Sequence, residues 1–166
     1  GLALAGLLAV VMQIALGGWT TSNYAALACP DLPTCHGKWL PAMDFSAGFN
    51  VFQHIGPNYL GGQLDNAART AIHFAHRVGA VVVTLLLLSL IVALWRTGIR
   101  ECRRMSVVVS LVLLVQLTLG ISNVVFGLPL FVAVSHNAVG ALLLLIMVTL
   151  NHRVLTVQCH SSIEEK

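Results

Sequence analysis

The sequence predicts an all-α integral membrane protein, a four-helix bundle with a long extracytoplasmic loop between helices 1 and 2. Three observations carry that prediction. The chain of 166 residues is 57% hydrophobic and only 9% charged, where a soluble domain of this size carries roughly a quarter charged residues. So few charges cannot cover a water-facing surface, and the mean hydropathy is +0.87. Four stretches, 1–18, 70–95, 105–126 and 130–150, approach the about 20 apolar residues that a bilayer-crossing helix needs. Finally, Arg96, Arg100, Arg103 and Arg104 crowd the link between the second and third stretches, and Arg153 follows the fourth. Cationic links stay on the cytoplasmic side. The link 96–104 and the C-terminus are therefore expected inside, with the loop 19–69 outside.

The first stretch, 1–18, starts at a glycine without a basic flank. It makes a poor signal peptide and is expected to be the surviving part of a longer helix. The loop 19–69 holds four of the five prolines. Within it, "DFSAGFNVFQHI" predicts a short helix lying on the membrane. Asp44 is a suitable N-cap, and Phe45, Phe49 and Phe52 share one face at helical spacing. That helix either gates the outer end of the bundle or simply packs there. The bundle is expected over 1–152, followed by a cytoplasmic tail at 153–166.

Orientation also sorts the four cysteines. Cys102 and Cys159 lie on the reducing side and are expected as free thiols. Cys29 and Cys35, in "CPDLPTC", lie outside, where oxidation is permitted. They can close a small structural disulfide, stabilising by about 2–3 kcal/mol on the chain-entropy estimate. They can instead form a redox-active pair, or bind metal together with His36 as an incomplete zinc set.

A faint internal repeat runs through the helices. Gln13-Ile-Ala-Leu-Gly17 in helix one is echoed by Gln116-Leu-Thr-Leu-Gly120 in helix three. His76 followed by Val78-Gly79-Ala80 in helix two is echoed, one residue offset, by His136 and Val139-Gly140-Ala141 in helix four. The pattern fits a duplicated helical hairpin with pseudo-two-fold symmetry, or chance likeness between apolar segments.

Histidines inside a span are costly and functional by default. His76 is seven residues beyond Arg69 and His136 seven beyond Pro129, a depth of roughly 10 Å at the helical rise. Two imidazoles at one level on helices running in the same direction suit a planar cofactor with two axial ligands. Gly79 and Gly140 share a helical face with their histidines and would let a porphyrin lie flat, while Arg77 would meet a propionate. Heme iron is commonly held by imidazole, and bundle interiors house cofactors. Structural hydrogen bonding or another metal is the alternative. His73, one turn outward, could contact a propionate or relay protons, but reads better as interfacial. His36 and His54 are loop residues with weak claims, and His152 and His160 face the cytoplasm. Gln13, Gln116 and Asn123 read as polar glue between helices.

Taken together, "QIALGGWTTSNYAALACPDLPTCHGKW", "HFAHR" and "SHNAVGALLLL" resemble the C-terminal half of heme A synthase, over nearly the whole chain. The resemblance implies eight transmembrane helices in the full protein, in two similar four-helix halves. It also implies oxidation of the C8 methyl of heme O to the formyl group of heme A for terminal oxidase assembly. Position by position, His76 and His136 match the axial histidines of the family's heme b site, and Cys29 and Cys35 match its outer-loop cysteine pair. The substrate half of the family carries a glutamate three residues before its histidine, and His73 stands there in this chain. The chain thus resembles the cofactor half, an oxidoreductase only together with its missing N-terminal half or a second copy. Its place would be a bacterial inner membrane, with loop 19–69 periplasmic. The electron donor is not implied.

Three other readings compete. A four-helix, quinone-linked thiol oxidoreductase would need a second outer cysteine pair, which the chain lacks. A b-type electron-transfer cytochrome would not need the cysteines. A non-catalytic membrane subunit would not need the histidines. No nucleic-acid signature is present, since topology already accounts for the arginine cluster.

Overall fold

A computed structural model describes residues 1–52 and 63–164. It consists of α1 (Leu2–Ser22), α2 (Phe45–Gly48), α3 (Asn66–Arg96), α4 (Arg100–Val125) and α5 (Leu130–Glu164). All but α2 contain a segment long and apolar enough to cross a membrane, ending at Val154 in α5. Contacts run α1 to α3, α3 to α4, α4 to α5 and α5 back to α1. The four long helices therefore close a ring in which each hairpin, α1/α3 and α4/α5, packs along its own length.

The ring is apolar at its inner end. Val10, Val83, Leu87, Leu90, Leu94, Leu113, Leu143, Met147 and Leu150 form one buried cluster. Gly6 lets α1 come close, since a Cβ there would stand 3.0 Å from Met147 Cε and 3.2 Å from Leu87 Cδ2. Asn151 ties α5 to α1 by donating to the Ala3 carbonyl at 3.0 Å. Leucines also cover the outside, with Leu85, Leu111 and Leu145 about 60% exposed. Such a surface belongs in hydrocarbon, where packing rather than water drives helix association.

The helix ends differ from the sequence expectation for local reasons. α1 runs on to Ser22 because the hydroxyls of Thr20, Thr21 and Ser22 turn back onto the carbonyls of Leu16, Gly17 and Gly18, the usual way a helix tolerates such residues. α3 starts a turn early because Asp65 caps it, accepting from the Ala68 N–H at 2.8 Å. α4 starts at Arg100 and α3 ends at Arg96, so all four link arginines are helical. Arg104 pairs with Glu101 at 2.7 Å, and Arg103 lies 5.5 Å over the Trp95 ring. The remaining link turns at Gly98, whose φ of +75° favours a residue without Cβ. α5 continues beyond 150 to Glu164, so the tail begins as helix.

The helix expected over 44–55 is a single turn. Asp44 caps it as anticipated, but Phe49 already ends it and Phe52 is 91% exposed. Phe45 and Phe49 stack with centroids 6.2 Å apart; residues 53–55, and His54 with them, lie outside the described residues. α2 is fixed by its backbone. Trp19 Nε1 donates to the Gly48 carbonyl at 2.9 Å, and the Asp44 N–H donates to the Ala67 carbonyl at 3.1 Å.

The loop ahead of α2 is a built object docked on α3. Cys29 and Cys35 form a disulfide that is buried, at 0% and 1% exposure. The Arg77 guanidinium reaches up from α3 and donates to three loop carbonyls, Cys29 at 2.6 Å, Asp31 at 2.8 Å and Thr34 at 2.9 Å. His73, only 4% exposed, accepts the Cys29 N–H on Nδ1 at 3.1 Å. Its Nε2 also stands 3.3 Å from Arg77 Nε. A neutral imidazole accepts at one nitrogen only. The shorter bond from Cys29 therefore holds, and the Arg77 contact is packing. His73 is thus buried under the loop, not interfacial. Within the loop, the Asp31 carboxylate accepts from the Thr34 hydroxyl and the His36 and Gly37 N–H groups. Those bonds, led by Thr34 and Gly37, hold its pKa at about 2 against a usual 3.8.

Two predictions follow from this docking. Arg77→Met removes three charge-assisted bonds, each of the kind that contributes about 1.5–3 kcal/mol. The disulfide should then be reduced by a phosphine at least about tenfold faster, with helix content unchanged. Arg77→Lys, a point charge without the planar fork, should fall between the two. Equal reduction rates in all three proteins would refute the clamp. For Asp31, a depressed folded pKa means that its support is complete above about pH 4 and lost as pH falls through about 2. Phosphine reduction should accelerate across that interval in the wild type. In Asp31→Asn it should already be fast at neutral pH, with no step.

Candidate functional site

Above the apolar cluster, polar side chains enter the ring at two matched places. On α1, the Gln13 side chain faces α3, where its Nε2 donates to the His76 carbonyl at 2.9 Å and lies 3.1 Å from His76 Nδ1. On α4, the Gln116 side chain faces α5, with Nε2 3.4 Å from His136 Nε2. One turn along each first helix is a glycine under the imidazole. A Cβ on Gly17 would stand 3.3 Å from His76 Cε1, and one on Gly120 would stand 3.1 Å from His136 Cε1. The repeat seen in the sequence is therefore a repeat of contacts: in each hairpin, a Gln and a Gly four residues apart cradle the histidine of the following helix.

Both histidines are half-buried rather than turned out to lipid, and His76 lies within electrostatic reach of His136. Because α3 begins at Asn66, distance from the helix start no longer measures the depth of His76. The partner contacts give the register instead, His76 to Gln13 and Gly17, His136 to Gln116 and Gly120.

The three expected neighbours, Gly79, Gly140 and Arg77, make contacts within the protein. The space beside Gly79 and Gly140 is taken by the glutamines. A Cβ on Gly79 would collide with Gln13 Oε1, and one on Gly140 would stand 3.2 Å from Gln116 Nε2. These glycines seat the amides, and the glycines against the imidazoles are Gly17 and Gly120. Arg77 points up into the loop carbonyls, which leaves two of its five donors uncommitted, the Nε–H packed against His73 and one Nη2 hydrogen.

Four buried polar atoms have no hydrogen-bond partner among the described residues: Gln13 Oε1, Gln116 Oε1, Asn123 Oδ1 and His136 Nδ1. Three of the four belong to the two Gln–His pairs. Buried orphans of this kind ask for an explanation, and a group bound between the imidazoles would supply one. Two neutral nitrogen donors on facing hairpins fit a heme iron in donor chemistry.

Other candidates do not join this site. Both outer thiols are spent in the disulfide, so they offer no thiolates to a metal with the exposed His36. No cluster of three or more His, Cys, Asp or Glu side chains suited to a metal occurs among the described residues. An apolar cleft between α3 and α4, lined by Ile91, Trp95, Arg96 and Ser106, lies at the opposite end of α3 from His76. Cys102 is a free thiol.

Comparison with known proteins gives the same direction. Residues 1–148 match the COX15-CtaA family, described as cytochrome oxidase assembly protein. The chain is 47% identical over 151 residues to a heme A synthase of Shewanella oneidensis, covering 91% of this chain and 45% of that protein. It is 33% identical to a heme A synthase of Halalkalibacterium halodurans, covering 76% and 36%. Against a heme A synthase of Methylobacterium radiotolerans it is 30% identical, covering 87% and 36%. The chain thus spans less than half the length of these relatives. No solved structure matches it. With its four apolar helices and a family match over nearly its whole length, the chain is a membrane protein of the COX15-CtaA heme A synthase family.

Proposed function

We propose that this chain is the heme b-binding half of a heme A synthase, with His76 and His136 as the two axial ligands of one iron. The observation that carries the reading is the pair of half-buried imidazoles on α3 and α5, each set against a glycine of the preceding helix. The whole enzyme would oxidise the C8 methyl of heme O to the formyl group of heme A for cytochrome oxidase assembly. A second, N-terminal-type half or another copy of this chain would complete it.

When bound, the heme supplies one-electron redox chemistry; the helices fix ligand, burial and orientation. His76 and His136 bind. The leucine cluster below them, from Val10 to Leu150, excludes water from the inner side. The disulfide loop, held by Arg77 and His73, covers the outer side. The uncommitted Arg77 Nη2 hydrogen would be the one to meet a propionate. In a bacterial inner membrane the loop 19–69 would face the periplasm, and the arginines at 96–104 would face the cytoplasm.

Membranes containing the wild-type chain should show a b-type reduced-minus-oxidised spectrum and stoichiometric protoheme. His76→Ala and His136→Ala should each abolish that spectrum while the chain still accumulates. An unchanged signal in either variant would exclude that histidine as a ligand.

A further inference from the structure

We infer that Gln13 and Gln116 are a matched pair of positioning residues, each orienting an axial imidazole through the ring nitrogen that does not bind iron. This rests on the reading of His76 and His136 as ligands and adds to it the groups that set their ring planes and protons. The two amides occupy corresponding places in the two hairpins, each four residues before the glycine under its histidine. In both, the room for the amide comes from a glycine on the histidine's own helix, Gly79 or Gly140. Glutamines that only glued helices would have both amide ends occupied. Here the nitrogen contacts the imidazole and the oxygen is left buried without a partner, in both copies.

That leftover oxygen is the acceptor an axial histidine needs. A neutral imidazole that ligates through one nitrogen carries its proton on the other, and that N–H is normally given to a carbonyl or carboxylate. Gln13 Nε2 sits at His76 Nδ1 as a donor, which places the ring proton on Nε2. Ligation through Nε2 would move that proton to Nδ1, and a half-turn of the amide would bring Oε1 to receive it in exchange for the bond to the His76 carbonyl. In the second pair the nitrogens are exchanged: Gln116 Nε2 faces His136 Nε2, while His136 Nδ1 and Gln116 Oε1 are orphaned, so ligation through Nδ1 would leave the Nε2 proton to the amide oxygen. An acceptor on the outer N–H raises the basicity of the ligand, which favours ferric over ferrous iron and lowers the midpoint potential.

The test uses the full chain in membranes, wild type against Gln13→Met, Gln116→Met and Gln13→Glu, with heme content and midpoint potential measured for each. Each methionine variant should keep its b-type spectrum and shift the ferric-to-ferrous preference toward ferrous by up to tenfold, 59 mV upward for one electron. Gln13→Glu, a stronger acceptor of the same length, should move the potential downward. If Gln13→Met loses heme and Gln13→Glu retains it, the acceptor requirement is likewise supported. Equal potentials in all four proteins would overturn the inference while leaving the ligands in place, as would loss of heme in both Gln13 variants. A wild-type chain without heme b overturns the ligand reading and this inference with it.

Discussion

An imidazole inside a membrane-spanning helix must find polar company on a neighbouring helix, and that requirement organises this bundle. His76 finds Gln13 and His136 finds Gln116, each across the interface of its own hairpin. To admit those contacts the helices carry glycine on both sides, Gly17 and Gly79 in one hairpin, Gly120 and Gly140 in the other. The small residues let the backbones approach, as membrane helix interfaces generally require. The ring closes because α1 also meets α5 and α3 also meets α4. The result is two levels, a dry leucine-rich level below and a polar level above.

The outer loop depends on the same stretch of α3. His73 and Arg77 hold the disulfide loop, and His76 lies between them in sequence. Any movement of the loop relative to α3 therefore acts on the turn that carries the imidazole. Arg77 does so through carbonyls, which a reduced loop would retain only if its backbone stayed folded. Asp31 supports that backbone from within. The disulfide is best understood as part of the cover over the polar level, since neither sulfur atom is open to solvent.

Much of this was legible in the sequence. Composition and four apolar stretches sufficed for the fold class, because a chain with so few charges has no other way to be covered. The histidines were visible as ionisable residues in spans, and the Gln-x-x-x-Gly repeat was visible as a repeat. What the repeat meant was not: Gly79 shares a helical face with His76, but which neighbour fills the space beside it depends on the rotation of α1. Arg77 illustrates the same limit. Its position at the head of a span suggested an anionic group at the rim, whereas the loop folds back to offer three carbonyls. His73 looked interfacial because nothing in its own helix shows that Cys29 will arrive above it. The α2 helix was overextended because Phe45, Phe49 and Phe52 keep helical spacing even where the chain stops being helical. Docking of Gly48 on Ala68, where a Cβ would stand 2.7 Å from the carbonyl oxygen, is a tertiary fact without a local signal.

His76 and His136 are proposed to hold one heme iron between them. Low-temperature electron paramagnetic resonance of the oxidised chain reads this most directly. Two nitrogen ligands from histidine give a low-spin ferric signal of the bis-imidazole type, and that signal is expected at one per chain. A high-spin ferric signal, or a low-spin signal with a sulfur or oxygen axial ligand, would contradict it.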